Sequence, residues 1–306
     1  MRAEVTAPNA LEAAALRKSY GPVQAVRDVS FNVRQGEIVA LLGPNGAGKT
    51  TTLEILEGFR RRDGGVAEVL GLDPGDRSTG RELRERTGLV LQEIAVEPYL
   101  TVRETITREA GYYPAPRDAA EVISMVGLGG LERRKVRALS GGQKRRLDLA
   151  LGLTGNPELL FLDEPTTGFD PEARRQFWTL IEELRTEGTT ILLTTHYLDE
   201  AEHLADRVGV IADGRMIEIG TPETLGGRGA RTARVSWSDA DGPHELRTDQ
   251  PTAEVAALMA RFGGEVPELE VRRPSLEDIY LDLIGKAAVT AVAADTPAVA
   301  MEAGAL

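Results

Sequence analysis

The sequence predicts an α/β domain in which helices cover a largely buried sheet, followed by a smaller C-terminal α+β domain. Continuous apolar runs of strand length alternate with stretches whose apolar residues recur at helical spacing, which is typical of layered α/β domains. One such run, residues 37–42, leads into a glycine-rich turn and then a helical stretch. The composition changes after Thr221-Pro222, and Gly226, Gly227 and Gly229 form a candidate linker, so we place the domain boundary near Gly226.

Composition limits the classes of function. The chain has 306 residues, of which 42% are hydrophobic, enough for one sizeable core and a small second domain. Its net charge of -12 argues against a nucleic-acid partner, because nucleic acids are bound by basic surfaces. Short basic runs, such as residues 144–146, are interpreted as solvated surface. The absence of cysteine excludes disulfides, thiolate zinc sites and cysteine nucleophiles.

Neither a signal peptide nor a membrane span is expected in this chain. The N-terminal residues lack a basic region followed by an apolar stretch. No window reaches the roughly 18 continuous apolar residues of a spanning helix, since Asp295 and Pro297 interrupt the Ala-rich tail. We expect residues 1–10 to form an N-terminal tail and residues 287–306 a disordered one.

The expected elements follow in chain order. Pro171 suits the first position of a helix, and Asp213-Gly214 between two apolar runs predicts a hairpin. In the first domain, residues 11–225, strands are expected over 37–42, 66–70, 89–91, 158–162, 190–194, 208–212 and 216–219. Helices are expected over 49–57, 102–110, 118–126, 143–153, 171–186 and 199–205, with a helical lobe over about 93–155. In the second domain, residues 226–286, strands are expected near 234–237 and 269–271, and helices near 253–262 and 276–283.

The stretch GPNGAGKT at residues 43–50 fits the phosphate-loop pattern G-x-x-x-x-G-K-[ST] and lies between an expected strand and an expected helix. Glycines let the backbone present N–H donors to phosphate oxygens, and the helix N-terminus favours negative charge. Lys49 supplies a full positive charge, and the Thr50 hydroxyl can bind Mg²⁺. A ligand-free turn is the alternative, and the strand–helix context favours nucleotide binding. The nucleotide-binding candidates are Gly43, Asn45, Gly46, Gly48, Lys49, Thr50 and Thr51.

Two acids, Asp163 and Glu164, follow the apolar run LLFL. At a phosphoryl-transfer site, one carboxylate at a strand end positions Mg²⁺ and a second can orient the attacking water. We assign Asp163 to the metal and Glu164 to the water. Taken alone, the pair would be an acidic loop capping the next helix, and the phosphate loop upstream makes that interpretation the weaker one.

Residues 139–143 read LSGGQ ahead of an expected helix, which in isolation is an ordinary helix cap. Together with GPNGAGKT, LLFLDEP and a later histidine, LSGGQ resembles the signature of the ABC (ATP-binding cassette) ATPases, over roughly residues 11–225. The resemblance implies a P-loop NTPase fold with a helical subdomain, and two copies paired head to tail. Each ATP would lie between the phosphate loop of one copy and four signature residues of the other: Ser140, Gly141, Gly142 and Gln143.

The resemblance extends to single positions. Gln92 is similar to the family's loop glutamine, which senses Mg²⁺ and the membrane partner, and joins Thr50 and Asp163 as an expected metal ligand. His196 is similar to the switch histidine at the γ-phosphate and joins Lys49 and Glu164 as a catalytic candidate. Tyr20 resembles the aromatic residue that stacks on adenine. Taken alone, these three would be a surface amide, a structural histidine and an ordinary tyrosine. Phe169 stands where the family usually has Leu.

The C-terminal stretch RPSLEDIY, residues 273–280, resembles the tail of daunorubicin-resistance-like exporter ATPases. Its alternative interpretation is a helix start capped by Ser275. The resemblance implies an ATPase subunit at the cytoplasmic face of the membrane, coupled to a separate polytopic permease that exports an antibiotic or similar small molecule. An importer subunit and a soluble regulatory ATPase without a transport role remain the alternatives.

Overall fold

The computed structural model describes residues 7–90, 96–227 and 232–294, with side chains to Ala287. It divides into two compact units, Met1–Pro222 and Glu223–Leu306, so the division lies three residues before the boundary expected from the sequence. Within these described ranges, no helix is both long and apolar enough to cross a membrane.

Nine strands of the first unit form one sheet. They are β1 (Asn9–Tyr20), β2 (Val23–Arg34), β3 (Ile38–Leu42), β4 (Gly64–Val69), β5 (Thr87–Val90), β6 (Leu159–Asp163), β7 (Thr190–Thr195), β8 (Arg207–Ala212) and β9 (Arg215–Gly220). The helices around it are α1 (Lys49–Leu56), α2 (Gly80–Arg86), α3 (Val102–Ala110), α4 (Ala119–Met125), α5 (Gly141–Thr154), α6 (Pro171–Thr186) and α7 (Leu198–Leu204), with a short 3-10 turn at Val136–Ala138.

The strand order is β4-β1-β2-β9-β8-β3-β7-β6-β5. Strands β8, β3, β7, β6 and β5 run parallel, and every residue of β3, β6 and β7 is buried. This burial explains their continuous apolar sequences, since helices cover both faces of a parallel sheet. Leu42 pairs with Thr195, and Asp163 pairs with Thr194. The register therefore brings the phosphate loop, the two acids and His196 to one edge of the sheet, and the expected α/β class is confirmed.

Strands β1 and β2, helix α2 and one strand of the second unit were not predicted from the sequence. Strand β1 lacks a clean period of two because its pairing with β2 is irregular at several points, including between Ala13 and Leu16. Ala15 within it has a φ of 49°, a left-handed conformation that turns the chain out of regular pleat. A pattern search for alternating residues therefore fails on this strand.

The helical lobe is built by α3, α4 and α5, which contact one another. A capping box between Thr101 and Glu104 begins α3, and the Asp118 carboxylate caps α4. Apolar residues on one side of each helix are buried, including Val102, Ile106, Val122, Ile123 and Leu147. The helical spacing that predicted these elements is the spacing that builds this small core.

The second unit has its own sheet and core. Its antiparallel strands β10 (Ala233–Asp239), β11 (Gly242–Thr248) and β12 (Glu270–Arg272) have the order β11-β10-β12, and its helices are α8 (Pro251–Phe262) and α9 (Leu276–Ala294). Val235, Leu258 and Val266 are buried together. Helix α9 continues past residue 286, where a disordered tail was expected, because alanine has the highest helix propensity. Residues 295–306 and Gly229 of the expected linker lie outside the described residues.

Candidate functional site

The phosphate loop leaves β3 after Leu42 and enters α1 at Lys49. A Cβ added to Gly43 would lie 2.3 Å from the Ile211 carbonyl oxygen, and one added to Gly48 would lie 2.4 Å from that of Ala25. Gly48 also has a φ of 101°, a conformation that other residues rarely adopt. No side chain caps the N-terminus of α1, so its first N–H groups face the loop as donors for an anion.

The Lys49 side chain contacts the backbone of the phosphate loop. Its Nζ donates to the carbonyl oxygens of Gly43, at 2.6 Å, and Pro44, at 3.2 Å. Burial lowers the pKa of Lys49, while the nearby charges of Glu164 and Asp163 oppose that shift. The ammonium group therefore lies between the loop backbone and the two acids, where it can bind phosphate oxygens.

Asp163 ends β6 and is held from two sides. The Thr194 hydroxyl donates to its Oδ1 at 2.5 Å, and the Thr50 hydroxyl donates to its Oδ2 at 3.3 Å. The side chain is buried at the edge of the sheet. Two oxygen ligands of the kind that Mg²⁺ prefers thus lie together, one from α1 and one from β6.

Glu164 follows Asp163 in a left-handed conformation, with a φ of 46°. Its N–H donates to the carbonyl and the hydroxyl oxygens of Thr194, both at 3.1 Å. Its Oε2 lies 3.3 Å from His196 Nδ1 and accepts from the Thr167 hydroxyl at 3.4 Å. Two of the three catalytic candidates, Glu164 and His196, are therefore neighbours although they lie at separate places in the sequence.

The signature loop caps α5 with its own side chains. Ser140 Oγ accepts from the Gln143 N–H at 3.3 Å, and Gln143 Oε1 accepts from the Ser140 N–H at 3.0 Å. Apart from its chain neighbours and the nearby backbone of α5, a Cβ added to Gly141 or Gly142 would meet no described atom within 4 Å. Packing within one chain thus accounts for glycine in the phosphate loop at Gly43 and Gly48, and does not account for it in the signature loop.

The remaining candidates lie around this core of the site. Tyr20 ends β1 with an exposed ring, 5.4 Å from the Arg60 guanidinium and 5.7 Å from Lys18 Nζ. Asn45 and Gly46 are exposed in the phosphate loop, and Thr51 is half-buried in the first turn of α1. Gln92 lies outside the described residues.

Three residues of the site were missed or misread at the level of sequence. Thr194 bridges Asp163 and Glu164, and its place at the end of a buried strand just before His196 is the signal that could have found it. Arg145 was interpreted as solvated surface, whereas its side chain is only 10% exposed. Glu57 at the end of α1 is buried, and burial, Asp163 and Glu54 raise its pKa to about 8.

Comparison with known protein families and curated proteins gives consistent similarities. The sequence profile described as "ABC transporter" matches residues 26–167. The daunorubicin resistance ATP-binding protein DrrA2 of Streptomyces coeruleorubidus is 40% identical, over 90% of this chain and 95% of that protein. A Nod factor export ATP-binding protein I of Burkholderia orbicola is 44% identical, over 89% of this chain and 95% of that protein. The linearmycin resistance ATP-binding protein LnrL of Bacillus subtilis is 34% identical, over 90% and 98%.

Solved structures agree with the sequence relatives. The dimeric, post-hydrolysis structure of the ATP-binding cassette MJ0796, bound to ADP and Pi, matches with a TM-score of 0.64 and 25% identity, over 69% of this chain and 98% of that one. CbiO1 from Clostridium perfringens, part of the complex cbiONQ, matches with a TM-score of 0.64 and 29% identity, over 70% and 89%. These similarities confirm the fold expected from the sequence.

Proposed function

Because this chain belongs to the ABC transporter family of ATP-binding, ATP-hydrolysing proteins, we propose that it is the energy-coupling subunit of an exporter for a small molecule such as an antibiotic. One observation carries the exporter assignment. Relatives named for drug resistance or export align over 89–90% of the chain, so the similarity extends past Pro222 into the second unit. The cargo is proposed from those names, since the chain itself offers only the ATPase site and the second unit.

In this proposal, the phosphate loop binds the ATP phosphates through its backbone N–H groups and Lys49, and Tyr20 stacks on the adenine. Thr50 and Asp163 would hold Mg²⁺ together with Gln92. The fit rests on the hydroxyl and carboxylate oxygens, which lie 3.3 Å apart. When bound, Mg²⁺ neutralises part of the phosphate charge and orients the β- and γ-phosphates.

Glu164 acts on the attacking water. Thr194 binds the backbone N–H of Glu164, and His196 lies beside its carboxylate. Together these contacts limit the directions in which the carboxylate can accept a proton or a hydrogen bond. Lys49 and His196 would contact the γ-phosphate and stabilise the charge that develops there. This division of roles explains why a buried acid at the metal and a second, more accessible acid follow each other at the strand end.

The working site is completed by a second copy of the chain. Ser140 to Gln143 would bind the γ-phosphate side of the nucleotide held by the partner, in a head-to-tail homodimer. The open space above Gly141 and Gly142 supports this assignment, because a ligand or a second chain can approach there without displacing any described atom. ATP binding then closes the dimer, and hydrolysis resets it.

A separate polytopic membrane permease is the proposed partner, at the cytoplasmic face of the membrane. The region after Gln92, together with the start of α3, is proposed to transmit closure to it. The dimer's movement then changes the access of the permease's binding site.

The first test uses Glu164→Gln in the full chain. We expect the variant to bind ATP, to hydrolyse it at least about 100-fold more slowly, and to trap a dimer that co-purifies with a permease from detergent-solubilised membranes. Glu172→Gln is the control, because Glu172 is an exposed acid in the first turn of α6. A trapped dimer with no membrane protein under several detergents would favour the regulatory alternative, and full hydrolysis would remove Glu164 from the mechanism.

A further inference from the structure

Arg145 connects the signature helix to the turn that carries the catalytic acids. It lies in the second turn of α5, five positions after Ser140. Its Nε donates to the Pro165 carbonyl oxygen, and its Nη2 donates to those of Asp163 and Glu164, each at 3.0 Å. One guanidinium group thus binds three consecutive carbonyl groups around Glu164.

The turn that Arg145 binds is conformationally costly. Glu164 has a φ of 46°, which is disfavoured for a residue with a Cβ and persists only where the surroundings impose it. Thr194 holds the N–H side of the turn from β7, and Arg145 holds the carbonyl side from α5. The direction of the Glu164 carboxylate therefore depends on both elements.

An ion pair with Asp148 keeps the Arg145 side chain in place. Asp148, one turn further along α5, accepts from Nη1 of Arg145 at 3.0 Å, and the two side chains are 11% and 10% exposed. While Asp148 binds Nη1, the Nε and Nη2 groups donate to the three carbonyl oxygens. A guanidinium is planar and spreads its donors over three nitrogens in a fixed fork, whereas a lysine ammonium has all its donors on one nitrogen and cannot reproduce the whole arrangement.

We propose that Arg145 is a positioning residue for Glu164 and that it links the two ATP sites of a dimer. The link rests on the proposed head-to-tail function, in which Ser140 of each chain contacts the nucleotide held by the other. Ser140 caps the helix that carries Arg145, so a shift of the signature loop moves the guanidinium with it. When the signature loop of one chain contacts the nucleotide held by its partner, the Glu164 of that same chain is moved into position. Glu164 is therefore active only while the signature loop of its own chain is in contact with a nucleotide.

The test compares Arg145→Met, which keeps the length and loses the donors, with Arg145→Lys and Arg146→Lys. Arg146 is the matched control: it donates to Gly127 and Gln176 and, within the described residues, makes no hydrogen bond to 163–165. ATP affinity, kcat and the Hill coefficient for ATP are measured on each full-length variant.

We expect Arg145→Met to lower kcat by about 10- to 100-fold, as expected of a mispositioned catalytic group, and to bring the Hill coefficient close to one. ATP affinity should stay within about twofold, since the phosphate loop is untouched. Arg145→Lys should recover part of kcat, and Arg146→Lys should match the wild type. An unchanged kcat and Hill coefficient in Arg145→Met, or equal losses in the two lysine variants, would overturn the proposal.

A double variant separates this inference from the assignment of Glu164. If Arg145 acts through Glu164, then Arg145→Met added to Glu164→Gln should lower the residual rate by less than about twofold. A further drop as large as that in the wild-type background would show that Arg145 acts elsewhere. If Glu164→Gln alone were fully active, the role of Glu164 would fail. If Glu164→Gln were inactive and Arg145→Met normal, only the positioning role would fail.

Discussion

Lys49 and Glu57 lie at opposite ends of α1. Burial lowers the pKa of Lys49 and raises the pKa of Glu57, because it disfavours the charged form of each side chain. For Lys49 the negative charges of the two acids at the strand end oppose the effect of burial. For Glu57 the nearby charges of Asp163 and Glu54 add to the effect of burial, and the pKa rises to about 8 from an ordinary 4.5. At neutral pH the folded chain without metal therefore carries a protonated acid at the C-terminal end of α1, the end away from the phosphate loop.

Glu57 gives the fold a pH dependence of known sign. Since the folded-state pKa is raised, the folded chain binds a proton that the unfolded chain releases, and the stability contribution is lost as pH rises from about 4.5 to about 8. Glu57→Gln should remove this loss, so that the variant gains about 1–3 kcal/mol over the wild type between pH 5 and pH 9. Urea unfolding without nucleotide or Mg²⁺ measures it, with the exposed Glu68→Gln as control. Parallel stability curves for the wild type and Glu57→Gln would contradict this account.

At the scale of elements, the two glycine-rich loops differ in what requires glycine. Gly48 is enclosed by its own chain, close to the Ala25 carbonyl oxygen and in a left-handed conformation. Gly141 begins α5 in open space. Contacts within one chain thus explain the glycine at position 48, whereas they do not explain the one at position 141.

An alanine substitution should therefore lower stability in the phosphate loop and lower ATPase activity, without loss of stability, in the signature loop. Gly48→Ala is expected to destabilise the fold by about 2–4 kcal/mol, because both the contact and the backbone conformation are forbidden to it. Gly141→Ala should change stability by no more than about 0.5 kcal/mol, while a Cβ at the proposed dimer contact lowers ATPase activity at least about tenfold. Thermal unfolding and steady-state ATPase assays measure the pair. A fully active Gly141→Ala would argue against a site shared by two chains.

Some of these elements could be predicted from the sequence and others could not. Strands β3, β6 and β7 were predictable because burial on both faces makes them continuously apolar, and these strands position the phosphate loop, Asp163, Glu164 and His196. Strand β1 was not, because its irregular pairing with β2 removes the alternation. Strand β2 was overlooked although its buried Val29, Phe31 and Val33 alternate with less buried residues. The partners of Arg145 were not predictable either, since a run of three basic residues carries no sign of which one turns inward. The roles of all the candidate site residues, Gln92 and Tyr20 among them, stay predictions.

At the scale of the whole molecule, the two units are built as separate structures. The first has the nine-stranded sheet and every described candidate residue of the site, and the second has a three-stranded sheet with its own buried residues Val235, Leu258 and Val266. A domain with its own core can be removed without opening the core of its neighbour. We propose that the second unit serves dimerisation or coupling, since every described candidate residue for ATP chemistry lies in the first unit.

Ending the chain after Gly226, which retains the buried Leu225, tests that separation. We expect the shortened protein to fold, with ATP affinity within about twofold of the wild type, because the phosphate loop belongs wholly to the first unit. ATP-driven dimerisation or permease-coupled export should fall, which sedimentation and transport assays measure. Ending the chain after Ala294 is the control and should change none of these properties. An unfolded product would show that the sheet of the first unit depends on the second, whereas a folded product with full dimerisation and export would leave the second unit without a part in coupling.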